Sequence, residues 1–207
     1  TKSEIDDPEQ YIDSILAGDY AQLDKAHPVL VILSSLMREM FRASDGSRLI
    51  SSDFSQIEAR MLAWIAGQQD LVDAFAAGAK VYERMAGRIY GKKALEIANP
   101  SKERDVGKTV ILGAGYQMGW KRFRLQLKEQ TGIEISDEDA KGIIDTYRAM
   151  NDRIKSFWYE IERAAREAVR LPGKVTYCGR DGIIRYVVRG DWLWCLLPSG
   201  RPLAYAL

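Results

Sequence analysis

Two carboxylates occupy unusual positions in the stretch SSDFSQIEAR, residues 51–60. Asp53 follows an apolar pair and two serines, where a strand would end, and Glu58 comes five residues later in a segment typical of a core helix. A carboxylate at the end of a strand can bind a divalent cation together with the backbone carbonyl of the next residue, Phe54. Considered alone, Asp53 is more simply interpreted as the cap of a helix that begins near Ser55.

A second set of side chains recurs at every fourth position between residues 101 and 119. Its members are Arg104, Lys108, Leu112 and Tyr116. On an α-helix of about 100° per residue they step round by roughly 40° each and form one inclined stripe. Two cations, an aliphatic side chain and a ring suit the phosphates, sugar and base of a nucleoside triphosphate, and with Asp53 they favour metal-assisted phosphoryl transfer. The simpler alternative is a solvated face whose leucine and tyrosine pack into the core.

Two glycine motifs in this stretch match phosphate-binding sequences only in part. Gly107-Lys108-Thr109 resembles the end of a P-loop, but Lys102 stands where a glycine is needed and a helix precedes it. The glycines between Gly113 and Gly119 miss the dinucleotide-binding spacing by one residue and follow no strand. We therefore expect these glycines to let the backbone approach a flat partner or another helix.

Apolar periodicity predicts the elements that must position these residues. Helices are predicted near residues 8–17, 28–42, 55–66, 68–77, 80–90, 101–117 and 120–131, a long helix from Ser136 to about Arg170, and a short strand near 47–53. Ser101 and Ser136 are the predicted helix starts. After Leu171-Pro172-Gly173, β-branched and aromatic runs between glycine-containing turns predict three or four short antiparallel strands. The predicted fold class is α+β and mostly helical.

The composition indicates a soluble globular chain. Its 207 residues are 46% hydrophobic and 29% charged, enough for one core or two small lobes, and no segment resembles a membrane span or signal peptide. Two cysteines and one histidine exclude a disulfide framework and a Cys/His zinc site and favour a reducing compartment. The net charge is +1, but residues 101–130 carry +4 and residues 1–30 carry −5, so we expect a local anion site.

These residues resemble two motifs of the family A, or polymerase I type, DNA polymerases. Residues 53–60, DFSQIEAR, resemble motif A, and Arg104-x3-Lys108-x3-Leu112-Gly113-x2-Tyr116 resembles motif B, the fingers helix that meets the incoming nucleotide. The order of the motifs, their separation of about fifty residues and the flanking MREMFRA at 37–43 extend the resemblance over roughly residues 30–175.

The resemblance implies a role for each matching residue. Asp53, helped by the Phe54 carbonyl, would bind two catalytic Mg²⁺ ions. Glu58 would be the steric gate that excludes a ribose 2′-hydroxyl, and Arg104 and Lys108 would hold the triphosphate as pyrophosphate leaves. The remaining contacts would come from Gln56 near the triphosphate, Leu112 and Tyr116 beside the sugar and base, Arg60 supporting the site or the primer terminus, and Tyr82, where many members have a phosphate-contacting histidine.

Three departures from the family pattern accompany this resemblance. Motif B normally has Phe or Tyr at Leu112 and Gly at Gln117. Tyr82 and the tail LPSGR, residues 197–201, are similar to phage-like members. The His-Asp-Glu motif that supplies the second metal-binding aspartate is absent from the sequence. One carboxylate cannot support two-metal chemistry, so the resemblance implies the fingers with part of the palm, a piece of a longer protein that is inactive alone.

The implied organisation has five segments. They are a helical palm or thumb-proximal segment at 1–46, a palm strand and helix with motif A at 47–66, the fingers with the motif B helix at 67–135, a long helix at 136–171, and a palm-associated antiparallel β segment at 172–207.

The implied partners are a DNA primer-template and dNTPs, with a processivity factor as a further candidate and no membrane. The implied location is the cytoplasm of a bacterium or a phage-infected cell. The alternative is a non-catalytic nucleic-acid or nucleotide-binding fragment, and a helical scaffold would require both motifs to be accidental.

Overall fold

A computed structural model describes Ile5 and residues 7–207, and the chain divides into two compact units, Thr1–Phe54 and Ser55–Leu207. Residues 1–4 and 6, part of the predicted 1–46 segment, lie outside the described residues. The first unit has a 3-10 turn, Pro8–Tyr11, followed by α1 Ile12–Leu16, α2 Tyr20–Ala26 and α3 Val29–Glu39. Its small core consists of Ile5, Leu23 and Ile32. The two helices predicted here are present but shorter, and α2 was not predicted.

The strand predicted at residues 47–53 does not form. A strand is stable only when its backbone groups pair with a neighbour, and the described part of this unit contains no other strand. Leu49 and Ile50, the apolar pair that suggested the strand, are 60% and 77% exposed. The prediction is therefore wrong for this unit, because an apolar run alone does not supply a hydrogen-bonding partner.

The second unit, all of whose residues the structure describes, contains seven α-helices. They are α4 Ile57–Ala66, α5 Gln69–Ala76, α6 Val81–Tyr90, α7 Lys102–Ala114, α8 Trp120–Thr131, α9 Asp137–Met150 and α10 Asp152–Arg170. Ser101 and Ser136 cap α7 and α9 as predicted, each accepting a hydrogen bond from the N–H three residues later. Within the described residues, no helix is both long enough and apolar enough to cross a membrane.

The long helix predicted from Ser136 is two helices that meet at Asn151. The backbone of Asn151 leaves the helical region, with φ −127° and ψ 57°, and its side-chain amide donates to the Tyr147 carbonyl at 2.9 Å. The first N–H groups of α10 then find an acceptor in Gln68, from the connection between α4 and α5. A continuous helix is therefore the wrong prediction here, because side-chain amides satisfy the backbone groups that the break exposes.

The C-terminal residues form a four-stranded antiparallel sheet, as predicted from their turns and β-branched runs. Its strands, in spatial order, are β1 Thr176–Cys178, β2 Ile184–Arg189, β3 Trp192–Leu196 and β4 Pro202–Ala206. The inner face contributes Ile184 and Tyr186 to the core of the unit, together with the free cysteines Cys178 and Cys195. The sheet is therefore half of a two-layer arrangement within the second unit, with helices of that unit packed on its inner face.

Helices α6 and α7 approach each other closely at Gly107. A Cβ added at Gly107 would lie 2.3 Å from the Tyr82 carbonyl oxygen and 3.0 Å from the Ala86 nitrogen. These are backbone atoms, so they cannot move aside as a flexible side chain could. The expectation that glycines in this stretch permit helix contact is confirmed at Gly107, and the P-loop interpretation is excluded because Lys108 lies inside a helix.

Replacing Gly107 by alanine should lower the free energy of unfolding by about 1–3 kcal/mol, because the added methyl group must push α6 and α7 apart. Gly142 provides a matched control inside α9, since a Cβ there would meet no atom within 4 Å. Gly142→Ala should raise the free energy of unfolding by about 0.5–1 kcal/mol through the helix preference of alanine. Urea unfolding of the two variants checks the opposite signs, and equal effects would contradict the close approach.

Candidate functional site

The close approach at Gly107 determines what Arg104 contacts. The Arg104 Nε donates to Oε1 of Glu83 on α6 at 2.9 Å, and the guanidinium lies over the Tyr82 ring, 5.4 Å from its centroid. The Glu83 side chain is only 5% exposed. A carboxylate so deeply buried is stable in its charged form only with a counter-charge, which Arg104 supplies.

Tyr82 lies between charges of both signs. Burial raises the pKa of its phenol, the Arg104 cation lowers it, and the carboxylates of Glu58 and Glu83 raise it. Burial also raises the pKa of Tyr116, and the Glu58 carboxylate raises it further. The Glu58 carboxylate thus acts on the pKa of both phenols. Of the predicted site residues, the structure brings Tyr82 on α6 and Arg104 at the start of α7 into contact.

A cleft of about 670 Å³ lies between α4, the end of α7, α10 and the inner face of the sheet. Glu58, Tyr116 and Gln117 contribute polar groups to it. The remaining lining is largely apolar and includes Met61, Leu62, Phe157, Trp158 and Tyr186. Tyr116 is 62% exposed. An apolar cleft with a few polar groups on one side is the usual form of a site for a flat or sugar-like group.

The turn after α7 orients Tyr116. The helix ends at Ala114, three residues before the predicted end, so Tyr116 lies in a turn and not on the helix. The indole Nε1 of Trp158 on α10 donates to the Gly115 carbonyl at 2.9 Å and holds this turn in place. The four residues of the predicted stripe therefore do not share one helix face, and Tyr116 faces the cleft.

Lys108 and Leu112 line a different recess, of about 400 Å³, between α7 and α8. Asp105, Thr109 and residues of α8 complete its lining. Lys108 is exposed, and its ammonium group makes no hydrogen bond or ion pair with any residue that the structure describes. Unlike Arg104, this cation is available to an external anion.

The residues of the first motif lie in both units. Asp53 and the 79% exposed Phe54 end the first unit in a segment that is neither helix nor strand. Gln56 precedes α4 in the left-handed region, with φ 56°, and makes no capping hydrogen bond. Arg60 donates to the Ser55 carbonyl at 2.9 Å and stacks over the Phe75 ring, so it fixes the start of α4.

Comparisons with known proteins identify the family to which the chain with these motifs belongs. The profile of DNA polymerase family A matches residues 28–187. The DNA polymerase of Bacillus phage SP02 is 31% identical over 99% of this chain and 31% of its own length. DNA polymerase I of Lactococcus lactis is 36% identical over 68% of this chain and 15% of its own length, and that of Aquifex aeolicus 29% over 77% and 27%.

The chain therefore belongs to DNA polymerase family A, as the two motifs predicted. The phage relative covers almost the whole chain, including the C-terminal sheet, in agreement with the predicted phage-like branch. The chain spans less than a third of the length of each of these relatives.

Sequence reasoning missed one residue that shapes the site, Glu83. A signal was present, because Glu83 lies three and four residues before the buried Ala86 and Gly87 and so shares their face of α6, and a buried acid requires a cation. The sequence also shows that Gln117 stands where the family normally has glycine, but it does not show that this substitution strains the backbone. Gln117 has φ 64°, in the left-handed region where a side chain is strained and glycine is not.

Gln117→Gly should raise the free energy of unfolding by about 0.5–1 kcal/mol, because glycine adopts this conformation without strain. Gln126 is a matched control in the middle of α8, where glycine should instead cost about 0.8 kcal/mol. Thermal and urea unfolding of the two variants measure the difference in sign. A loss of stability at Gln117 would show that its side chain makes a contact that outweighs the strain.

Arg104→Ala should lower the free energy of unfolding by about 2–3 kcal/mol, somewhat less than for a fully buried pair, because Glu83 is left without a counter-charge. Lys108→Ala should change it by less than about 0.5 kcal/mol, since Lys108 has no partner to lose among the residues that the structure describes. Glu83→Gln, which keeps an acceptor, should cost less than Arg104→Ala. Urea unfolding of the three variants tests this ranking, and equal losses for Arg104 and Lys108 would contradict it.

Proposed function

We propose that the protein carrying this chain performs template-directed DNA synthesis, adding deoxynucleotides to the 3′-hydroxyl of a primer. The observation that carries the proposal is that Glu58 and Tyr116 line one open cleft, with Arg104 held by Glu83 and Tyr82, in a chain of DNA polymerase family A. The proposal concerns the whole protein, because the chain spans less than a third of its named relatives.

The two cations of α7 divide the binding of the triphosphate. Arg104 is held by Glu83 through Nε, which leaves its two Nη groups as donors in a fixed orientation. Lys108, one helical turn further on, is unpaired among the described residues and supplies a mobile point charge. Both would bind phosphate oxygens more strongly as charge develops on the leaving pyrophosphate, which is how fixed cations lower the barrier to phosphoryl transfer.

The volume of the Glu58 side chain selects deoxyribose over ribose. Its carboxylate lies near the Tyr116 ring on the side of the cleft, where it would occupy the space that a ribose 2′-oxygen needs. Tyr116 would stack beside the base from the cleft, and Leu112, which lines the recess beside α8, would approach the sugar from that side. Gln56 would contact the triphosphate from the start of α4, and Arg60 would keep that segment in place for it.

Magnesium ions required by this chemistry would be held by the Asp53 carboxylate and the Phe54 carbonyl. Asp53 is exposed and makes no hydrogen bond or ion pair with a described residue, so both its oxygens are available. This fits Mg²⁺, which takes one or two carboxylates and completes its shell with water and substrate phosphates. When bound, the ions activate the primer hydroxyl and stabilise the leaving group.

A second carboxylate for this site is not identified within the chain. Among the described residues no three side chains of metal-binding type form a group, and the sequence contains no His-Asp-Glu motif. We therefore propose that the second ligand comes from another part of the complete polymerase, and that these residues alone do not catalyse synthesis.

In the complete polymerase, Glu58→Ala should increase ribonucleotide incorporation relative to deoxyribonucleotide, because it opens the space for the 2′-oxygen. Glu58→Gln keeps the volume and removes the charge, so it should retain most of the discrimination. Single-nucleotide primer extension with paired dNTP and rNTP substrates measures the ratio. Equal relaxation in both variants would contradict exclusion by volume, and an unmodified protein that extends no primer would refute the proposed function itself.

A further inference from the structure

The outer face of the C-terminal sheet carries aromatic and cationic side chains that the proposed active site does not use. Side chains alternate between the faces of a strand, and Ile184, Tyr186 and Cys195 point inward to the core. The opposite face therefore carries Arg185 and Arg189 from β2, Trp192 and Trp194 from β3, and Ala204 and Ala206 from β4. We propose that these six residues, the outer sheet face, bind single-stranded DNA.

The strand register leaves room beside the two indoles. Trp192 pairs with Ala206 and Trp194 with Ala204, so each large ring has a methyl group as its neighbour on β4. Cross-strand neighbours lie only about 5 Å apart, and a small residue there leaves a slot that a base can enter. A concavity of about 400 Å³ lies on this face, lined by Arg189, Trp194 and three apolar residues.

The spacing of the indoles suits consecutive nucleotides. Two residues of a strand advance by roughly 6.6 Å, so the rings stand side by side along β3 and can take neighbouring bases of an extended strand. Trp192 is 46% exposed, and Tyr177 on β1, 57% exposed, extends the aromatic surface beside Arg185. Stacking on such rings tolerates any base, and proteins that bind single strands without sequence preference use it.

The charge of the outer sheet face matches a polyanion. Arg189 pairs in register with Trp192, and Arg185 lies opposite Leu196. Both arginines are exposed, and neither makes an ion pair with any residue that the structure describes. No acidic residue stands on the face itself, and Asp191 lies in the turn that joins β2 and β3. Two free guanidinium groups beside stacking rings can each bind a phosphate of the same strand.

The surface favours a single strand over a duplex, because bases already paired and stacked do not present their faces to a ring. It also lies on the opposite side of the sheet from the cleft, which Tyr186 and Leu203 of the inner face line. Binding there therefore does not compete with a nucleotide in the cleft, and the proposal stands independently of catalysis.

The test titrates the 207-residue chain into a labelled oligothymidylate at low salt and follows fluorescence anisotropy. Trp192→Leu should weaken binding about fivefold to hundredfold, the range measured for loss of one base stack, and Trp192→Phe should retain most of the affinity. The control is Trp64→Leu, which removes a 38% exposed indole from α4 and should leave the affinity unchanged. Circular dichroism of each variant confirms that it folds.

Salt dependence identifies the phosphate contacts. Arg185→Gln and Arg189→Gln should each reduce the slope of log affinity against log salt by about 0.7, the value for one phosphate of a single strand. Arg163→Gln, an exposed arginine of α10, is the matched control and should leave the slope unchanged.

Three results would overturn the proposal. The first is an affinity that neither Trp192→Leu nor Arg189→Gln alters, and the second is equal affinity for duplex DNA of the same length. The third is a dimer in sedimentation analysis that Trp192→Leu dissociates, because the outer sheet face would then be an interface between copies of the chain.

Discussion

One buried amide, that of Gln68, joins parts of the second unit that are far apart in sequence, and the cleft depends on it. Its Oε1 accepts from the backbone N–H groups of Arg153 and Ile154 at 3.0 and 3.4 Å, while its Nε2 donates to Asp70 at 2.6 Å. The first turn of a helix has N–H groups without intrahelical acceptors, and Gln68 satisfies two of those in α10. Because α10 forms one wall of the cleft and supports the sheet, this residue from the α4–α5 connection places both.

The two cations of α7 show how one helix can present a fixed charge and a free one. Arg104 is fixed because Gly107 brings α6 close enough for Glu83 to reach it. Lys108, four residues on, faces the recess beside α8, where no described residue pairs with it. Arginine suits the first position because its planar group can stack on Tyr82 and bond to a carboxylate at once. The flexible stem of lysine suits the second position.

Local signals predicted most of the elements, and long-range contacts explain the failures. Ser101 and Ser136 marked the starts of α7 and α9, because capping is decided within three residues of sequence. The break at Asn151 could not be predicted in this way, since the acceptor that makes it tolerable comes from Gln68, more than eighty residues earlier. The absent strand near residue 50 has the same cause, because pairing depends on a neighbour that the local sequence does not specify.

For the candidate site residues, too, local sequence predicted identity, and long-range contacts determined the surroundings. The motif spacing identified Glu58, Arg104, Lys108 and Tyr116, and the structure supplied what spacing cannot express. It showed that Arg104 donates a hydrogen bond to the buried Glu83 and that Tyr116 lies beyond the end of α7. Helical periodicity predicted a common face, but each step of four residues rotates by roughly 40°, so the first and last members of the set face different surroundings.

The buried positions of the two cysteines of the sheet make their thiols resistant to oxidants. Cys178 on β1 and Cys195 on β3 lie on either side of β2 and are offset by two residues along it, so two strand spacings and this offset separate their Cα atoms by about 12 Å, too far for a disulfide. Burial, with the neighbouring Cys195 and Glu160, raises the pKa of Cys178 to about 12, and burial raises that of Cys195 as well. Thiolate is the form that peroxide and disulfides attack, and it is scarce at neutral pH in both residues. The fold thus protects its two thiols by geometry and desolvation.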